Sequence, residues 1–422
     1  MPYSTIRPSG CAWLGNIPSH WGTRRIGGLF TQRNEFGYPG LPILEVSIKT
    51  GVRVRNMDGT GRKQVMSDQG KYKFARRGDI AYNTMRMWQG AVGVTPTDGL
   101  ISPAYVVARP SDGVMSGYYA SLFRTPVFMK EVIDWSRGIV LDRNRLYWDQ
   151  FKQIAVPAIS QNEQIAIVRY LSNAVRQIDH WIGAQKKIRE LLLEQRNTKL
   201  SALLGAGLGD LQPLRLSQLV YFSNAGEVID KSWWGNGPEL LYTCARQPLK
   251  SDFKTFQDRK RTSDRDLLLT RNATPYVHIP LPNSIYSNVV QRIRLRPGYD
   301  REYIAAALQH VARSMRGYGV SIESLNYEMW KVLKVPVPEE RRQRDVVTAV
   351  KAVESECAQR SKPVAELIDQ LREYRTRFIA DIVTGKLDVR TAAAALPADT
   401  DEPAPILDAD GDEADVDEDA DA

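Results

Sequence analysis

Two copies of one pattern decide the fold: LYWDQFKQIAVP at residues 146–157 and LNYEMWKVLKVP at residues 325–336. A constant offset of 179 residues superimposes them, so that Val156-Pro157 aligns with Val335-Pro336. The same offset aligns Arg137-Gly138 with Arg316-Gly317 and continues through the helical pattern that follows each copy. A period this long exceeds that of a solenoid repeat and indicates a duplicated unit, made of a globular domain followed by a long helix.

Each long helix carries a narrow apolar stripe. In the second helix the apolar residues recur in steps of four and three, the spacing of a coiled-coil seam, and in the first helix the phase slips after Ile182. A stripe this narrow needs partner helices, so the two helices are predicted to pair with one another in antiparallel orientation. The predicted seam consists of Val168, Leu171, Val175, Ile178, Ile182, Val350, Val353, Leu367, Leu371 and Phe378.

Pro363 lies inside the second helical pattern. Because proline lacks an N–H and its ring clashes with the preceding turn, a kink or break is predicted near Ser361-Lys362. The two helices are predicted to end near Leu204 and Val383, where glycines follow.

The regions before the two helices have the patterns of α+β domains. In the first, strand-like runs between Ile43 and Val107 precede a helix over residues 117–135, which Pro126 is predicted to split. In the second, strand-like runs between residues 240 and 295 precede a helix from Tyr303 to Met315. Residues 1–30 have the glycines and prolines of a loop.

The predicted fold class is α+β, with two globular domains related by a pseudo-twofold axis and joined by two long antiparallel helices. The predicted boundaries are 1–157 for the first domain, 158–205 for the first helix, 206–337 for the second domain, 338–390 for the second helix and 391–422 for a tail.

The charge of the chain is unevenly distributed. The 422 residues include 57 lysines and arginines and 49 aspartates and glutamates, a net charge of +8. The segment from Pro397 to Ala422 holds 12 of the acidic residues and no basic one, which leaves +20 on residues 1–396. A body this basic favours a polyanionic partner, chiefly nucleic acid, although a soluble arginine-rich surface gives the same count. The acidic tail is predicted to be disordered.

The sequence lacks the motifs of catalysis and of metal binding. It has no Walker A loop and no Gly-x-Gly-x-x-Gly run, and no Asn-Pro-Pro-Tyr or Asp-Pro-Pro-Tyr of an amino-methyltransferase. The four histidines are isolated, and the three cysteines form no Cys-x-x-Cys pair. No catalytic residue and no metal ligand is predicted. The cysteine pattern makes the reducing cytoplasm the expected location. No window is long and apolar enough for a membrane span.

Basic side chains alternate with aromatic and amide side chains on the predicted loops of both domains. Arginine can pair with guanine and asparagine or glutamine with adenine, while lysine and arginine also hold phosphates. For any single position, a solvated charge or a phosphate contact is the plainer interpretation. The predicted DNA contacts are Lys73, Arg76, Arg77, Asn83, Arg86, Gln89, Arg143, Arg145, Arg246, Lys250, Lys254, Arg259, Lys260, Arg261, Arg271 and Asn272.

Several runs of the sequence resemble those of the specificity subunits of type I restriction–modification systems. They occur in order over residues 1–390, and the duplication accompanies them. The runs are RPSGCAWLGNIPSHW at 7–21, GDI at 78–80, LISPAY at 100–105, EYRTRFI at 373–379 and VTGKLDV at 383–389, together with the two Val-Pro junctions.

The resemblance implies that residues 1–157 and 206–337 are target recognition domains, each reading one half of a bipartite DNA sequence. It implies that the helices form a coiled coil that fixes the unread spacer and docks two methyltransferase subunits, which motor–nuclease subunits join. No cofactor is expected on this chain, since S-adenosylmethionine, ATP and Mg²⁺ would be used by those partners. The acidic tail departs from the family pattern. A DNA-modifying enzyme with unrecognised motifs and a structural coiled-coil adaptor are the alternatives.

Overall fold

The computed structural model describes residues 2–56, 69–138, 144–205, 211–272, 274–315 and 325–396. Two units can be distinguished by their internal contacts. Unit 1 comprises Met1–Gln185 and Glu366–Ala422, and unit 2 comprises Lys186–Ala365. Both are mixed assemblies of helices and strands, in agreement with the α+β prediction.

Unit 1 is built around a four-stranded antiparallel sheet with helices on one side. Its strands are β1 Ile6–Pro8, β2 Asn16–Pro18, β3 Gly22–Arg25, β4 Phe30–Arg33, β5 Leu44–Ser47, β6 Gly51–Val54, β7 Lys73–Ala75, β8 Ile80–Asn83, β9 Val92–Val94, β10 Gly99–Ile101, β11 Tyr105–Pro110 and β12 Ala155–Ala158. Its helices are α1 Ser116–Phe123, α2 Pro126–Trp135, α3 Trp148–Phe151 and the first part of α4 Gln161–Leu204. The predicted split of the helix at Pro126 is confirmed.

Unit 2 repeats this plan. Its strands are β13 Leu214–Arg215, β14 Val220–Ala225, β15 Trp234–Tyr242, β16 Leu249–Ser251, β17 Asp266–Thr270, β18 Val277–His278, β19 Ile285–Tyr286, β20 Val290–Leu295 and β21 Lys334–Val335. Its helices are α5 Leu216–Leu219, α6 Arg301–Val311, α7 Tyr327–Lys331 and the first part of α8 Glu340–Val383. A short helix, α9 Arg390–Ala394, follows α8 and belongs to unit 1.

The central sheets of the two units have the same strand order. In unit 1 the order is β4-β11-β8-β9, and in unit 2 it is β14-β20-β17-β18, with every neighbouring pair antiparallel. In both sheets alternate residues of one strand enter different cores. Leu267 and Leu269 pack toward α6, whereas Leu268 packs with Ile285 on the opposite face. Burial on both faces explains why this strand is a continuous apolar run.

The duplicated junction is equivalent in its hydrogen bonds as well as its sequence. Tyr119 and Tyr303 donate their hydroxyl protons to the carbonyls of Pro157 and Pro336, at 3.0 and 2.6 Å. These two prolines are separated by the repeat offset. A glutamine in the first turns of each long helix is equivalent too.

Gln164 and Gln343, also separated by the repeat offset, are both buried. Their side-chain oxygens accept from the backbone N–H groups of Met115 and Asp300, each at 2.8 Å. Their amide nitrogens donate to the carbonyls of the residues five positions earlier, Ile159 and Pro338. Each glutamine therefore fixes the entry into a long helix to the sheet domain before it.

The two long helices contact each other within each unit, and the contacts run in opposite chain directions. In unit 1 the ring of Tyr170 lies 6.2 Å from that of Phe378, and Arg375 Nη1 donates to Asp179 Oδ1 at 2.6 Å. In unit 2, Lys199 Nζ lies 2.6 Å from Glu356 Oε2, while Leu200 belongs to the same core as Val346.

The predicted seam residues are mostly covered. Val168, Leu171, Val175 and Ile182 are buried, and the half-buried members are Ile178, Val350, Val353, Leu371 and Phe378. The prediction of Leu367 as a seam residue is wrong by one position, because Leu367 is 38% exposed while the adjacent Ile368 is 3% exposed. Ile368 is therefore the buried residue of this pair.

Two further expectations are corrected. A kink or break was predicted near Ser361-Lys362. The break is wrong, because α8 is one continuous helix through Pro363, whereas the kink stays a prediction. Pro363 is exposed, so its ring lies on the outer side of the helix, away from the covered face. Residues 1–30 are not a loop: they contain β1, β2, β3 and the first residue of β4. Strand β3 pairs with β12, the strand that carries Val156-Pro157.

Candidate nucleic-acid interface

A buried aspartate organises the same turn in both units. Asp79 Oδ2 accepts from the N–H of Arg76 at 2.9 Å, and Asp266 Oδ2 accepts from the N–H of Ser263 at 2.7 Å. Each carboxylate also pairs with an arginine of the same sheet: Asp79 with Arg33 Nε at 2.7 Å, and Asp266 with Arg294 Nε at 2.7 Å. Residues at these turns are therefore held by the sheet itself.

Burial and hydrogen bonding shift the pKa values of groups in these carboxyl–arginine pairs. Burial raises the pKa of the Asp79 carboxyl above its ordinary value, although the hydrogen bond from Arg33 acts in the opposite direction. The hydrogen bond to Asp266 raises the pKa of Arg294. Both pairs belong to the structure of the sheet, since the aspartates are 2% and 0% exposed and cannot reach a ligand.

Two of the predicted DNA contacts of unit 1 are used within the domain. Lys73 is half-buried and its Nζ donates to the carbonyl of Tyr105 at 2.7 Å, while burial lowers its pKa. Asn83 is buried, and its Oδ1 accepts from the N–H of Met85 at 2.9 Å. Both side chains stabilise turns of the sheet, so neither belongs to the candidate interface.

The other predicted contacts of unit 1 lie on turns at the ends of strands. Arg76 and Arg77 are exposed on the turn that Asp79 closes, and Arg86 and Gln89 are half-buried after β8. Arg145 is exposed on the segment before α3. Arg143 lies outside the described residues.

In unit 2 three of the predicted contacts are held by internal partners. Arg261 forms a two-pronged pair with Glu239, with Nη1 and Nη2 at 2.8 and 2.9 Å from the two carboxylate oxygens, and this hydrogen bonding raises its pKa. Lys260 Nζ lies 3.5 Å from Glu227, and Arg271 Nη1 donates to the carbonyl of Asn288 at 3.1 Å. These cations connect loops of the domain to one another.

The remaining predicted contacts of unit 2 are more available. The Arg246 guanidinium lies over the ring of Tyr276 at 5.9 Å, a cation–π contact that leaves the arginine exposed. Arg259 is exposed and its Nε donates to Gln257 at 3.1 Å. Lys250 and Lys254 are exposed near β16, and Asn272 is half-buried.

Exposed aromatic side chains are the feature that sequence reasoning missed. They occur in both units and could stack on or wedge against a nucleic acid. No periodicity distinguishes an exposed tyrosine from a buried one at a domain edge, so only the structure separates them. They are Phe36, Tyr38 and Tyr147 in unit 1 and Tyr221, Phe222 and Trp233 in unit 2.

Unit 1 contains a cleft of about 240 Å³ between β6, β9, α1, α2 and the last turns of α8. Its main polar group is Arg124, whose guanidinium donates to the carbonyls of Ile48 and Lys49 at 2.7 and 2.9 Å. Within the part of the chain that is described, no group of three His, Cys, Asp or Glu side chains is placed to hold a metal ion. The same residues include no helix that is both long and apolar enough to cross a membrane.

The class of fold is therefore defined: two equivalent α+β units, each with a central antiparallel sheet and each followed by a long helix. One solved chain shares this fold. Its structure is described as the structural basis underlying complex assembly and conformational transition of the type I R-M system. The TM-score is 0.63 at 14% identity, and the match covers 88% of this chain and 99% of that one. This likeness confirms the mixed helix-and-strand fold with two long helices that the sequence predicts.

Two further solved chains are similar over comparable lengths. The HsdS subunit from Thermoanaerobacter tengcongensis has a TM-score of 0.45 at 14% identity and covers 88% of this chain and 98% of its own. The type I restriction–modification S subunit from M. genitalium has a TM-score of 0.34 at 12% identity, with 86% and 96% covered. No protein-family model matches the sequence, and no curated protein matches it.

Proposed function

We propose that the chain is the DNA-specificity subunit of a type I restriction–modification system and carries no catalytic site of its own. The observation that carries the proposal is the duplication: two units with one strand order and one junction, but with different side chains on their exposed turns. Two equivalent scaffolds with different surfaces suit a target made of two unlike half-sites. The net charge of +20 on residues 1–396 suits a DNA partner.

Each unit would contact its half-site with the side chains that the fold leaves exposed. Among the predicted contacts that the structure describes, the exposed cations are Arg76, Arg77 and Arg145 in unit 1 and Arg246, Lys250, Lys254 and Arg259 in unit 2. Arginines can serve guanine or phosphate, whereas lysines suit phosphate as point charges. The ion pairs of Arg261 with Glu239 and of Lys260 with Glu227 would stabilise the loops of unit 2.

The two long helices would set the distance between half-sites as a coiled coil and dock two methyltransferase subunits. A helix of 44 residues measures about 66 Å at about 1.5 Å per residue. The partners would use S-adenosylmethionine for adenine-N6 methylation, and motor–nuclease subunits would use ATP and Mg²⁺. For the acidic segment from residue 397 onward, the default role is to increase solubility.

The test is reconstitution of the full chain with its methyltransferase partner. The complex is expected to methylate adenines in one gapped DNA sequence, whereas the chain alone transfers no methyl group and cuts no DNA. Methylation or cleavage by the purified chain alone would make it an enzyme. A complex with no affinity for DNA at low salt would make it a structural adaptor. Salt must be fixed throughout, because phosphate contacts make the affinity fall steeply as salt rises.

A further inference from the structure

Two arginines of unit 1 are placed side by side at the base of the loop that follows α2. Arg137 and Arg145 form an isolated antiparallel bridge, in which the N–H of each donates to the carbonyl of the other, at 3.0 and 2.9 Å. Residues that exchange both backbone hydrogen bonds lie directly opposite each other, with Cα atoms about 5.5 Å apart and with side chains on one face. Both side chains are exposed.

The charges of this pair are not neutralised by described residues. Neither side chain forms an ion pair or hydrogen bond with any other part of the chain that the structure describes. The pKa of the Asp149 carboxyl is lowered chiefly by Lys152, whose Nζ lies 2.6 Å away, and only slightly by Arg137. Like charges directly opposite each other are destabilising, and an anion bound between the two guanidinium groups would relieve the repulsion.

The bridge is fixed to the sheet. Leu146, the residue after Arg145, is fully buried, and its N–H donates to the carbonyl of Thr84 at 2.9 Å. This bond ties the end of the loop to the turn after β8, which carries Arg86 two residues further on. The neighbouring Tyr147 is 47% exposed. A rigid backbone therefore holds the two charges together, since neither can move away without breaking the bridge.

The second copy of the repeat has no such pair in its sequence. The offset of 179 aligns Arg137 with Arg316 but Arg145 with Ser324, and it aligns Asn144 with Glu323. Residues 316–324 lie outside the described residues, so the comparison is one of sequence only. The paired arginines are a feature of unit 1.

We propose that Arg137 and Arg145 clamp one phosphate of the DNA backbone, which gives unit 1 an anchor that the second copy of the repeat lacks. This role rests on the proposed function. Two guanidinium groups on one face offer several N–H donors to phosphate oxygens, the geometry for which arginine is suited. Because every nucleotide carries the same phosphate, the clamp adds affinity and fixes position without adding sequence preference.

The test uses the full chain in complex with its methyltransferase partner. Arg137→Gln and Arg145→Gln are compared with Arg109→Gln, a control at an exposed arginine of β11 that lies opposite Thr31 instead of a like charge. Equilibrium binding is measured on the recognised duplex and on an unrelated duplex over a range of salt. Each clamp substitution should weaken both by the same factor, roughly 3- to 10-fold, and reduce the salt slope by about 1.

Several results would overturn the clamp. One is an affinity and salt slope no different from those of Arg109→Gln, and another is a loss confined to the recognised duplex, which would indicate base reading. A lower melting temperature of either variant would assign the arginines to the fold, since removal of a repulsion should leave it unchanged or raise it. If the unsubstituted complex prefers neither duplex, the proposed function fails. The clamp is then still tested by comparing the salt slopes of its variants with that of Arg109→Gln.

Discussion

At the scale of single residues, the buried glutamines Gln164 and Gln343 connect each sheet domain to its helix. Replacing Gln164 with leucine keeps the volume but leaves the Met115 N–H and the Ile159 carbonyl without partners. We expect the free energy of unfolding to fall by about 2–4 kcal/mol, because each unsatisfied buried group costs about 1–3 kcal/mol. Urea unfolding measures this loss. Gln177→Leu, at an exposed site of α4, should change it by less than about 0.5 kcal/mol, and equal losses would contradict the role of Gln164.

A buried histidine makes unit 2 sensitive to acid. Burial lowers the pKa of His278 to about 4, against the opposing effect of its hydrogen bond with the Thr243 carbonyl at 3.2 Å. The unfolded chain takes up this proton as pH falls through 6.5, whereas the folded chain does not until about pH 4. The free energy of unfolding should therefore fall by up to about 3 kcal/mol between these pH values.

The variant His278→Phe isolates this contribution. It keeps an aromatic ring between Tyr242 and Tyr276 but cannot bind the proton, so its stability should vary less with pH than that of the unsubstituted chain. Urea unfolding at several pH values between 7 and 4 provides the comparison. Parallel curves for the two proteins would show that His278 is not the source of the acid sensitivity.

At the scale of elements, the phase of α8 is decided by two neighbouring residues. Ile368 is 3% exposed and Leu367 is 38% exposed. We expect Ile368→Ala to cost about 2–4 kcal/mol, since it removes buried methyl groups and leaves a cavity, and Leu367→Ala to cost less than about 1 kcal/mol. Chemical unfolding of both variants checks the order. A larger cost at Leu367 would restore the seam that the heptad pattern predicted.

The sequence predicted the elements whose signals are local. The repeat located both long helices and their ends, and Pro126 located the split between α1 and α2. Strand β3 was missed because its partner is β12, about 130 residues later, and because its polar side chains resemble those of a loop. Among the candidate contacts, Arg261 and Lys250 have similar surroundings in sequence. The folded chain brings Glu239 to Arg261, whereas Lys250 stays exposed, and neither outcome can be read from the sequence.

At the scale of the whole molecule, the helices should act as a ruler. Inserting seven residues into both α4 and α8, at positions that face each other, keeps the apolar seam in phase and lengthens each helix by about 10 Å at about 1.5 Å per residue. With DNA rising about 3.4 Å per base pair, the unread spacer should grow by about three base pairs. Methylation assays on duplexes with graded spacers measure this. A complex that assembles and keeps the original spacer would contradict the ruler.

The central claim is that each unit reads its own half of the DNA target. Mapping methylated adenines across a host genome tests it most directly, first with the unaltered chain and then with residues 206–337 replaced by the corresponding region of another such chain. We expect one bipartite sequence whose first half is retained and whose second half changes. An unchanged sequence, or the simultaneous loss of both halves in a complex that still methylates DNA, would contradict it.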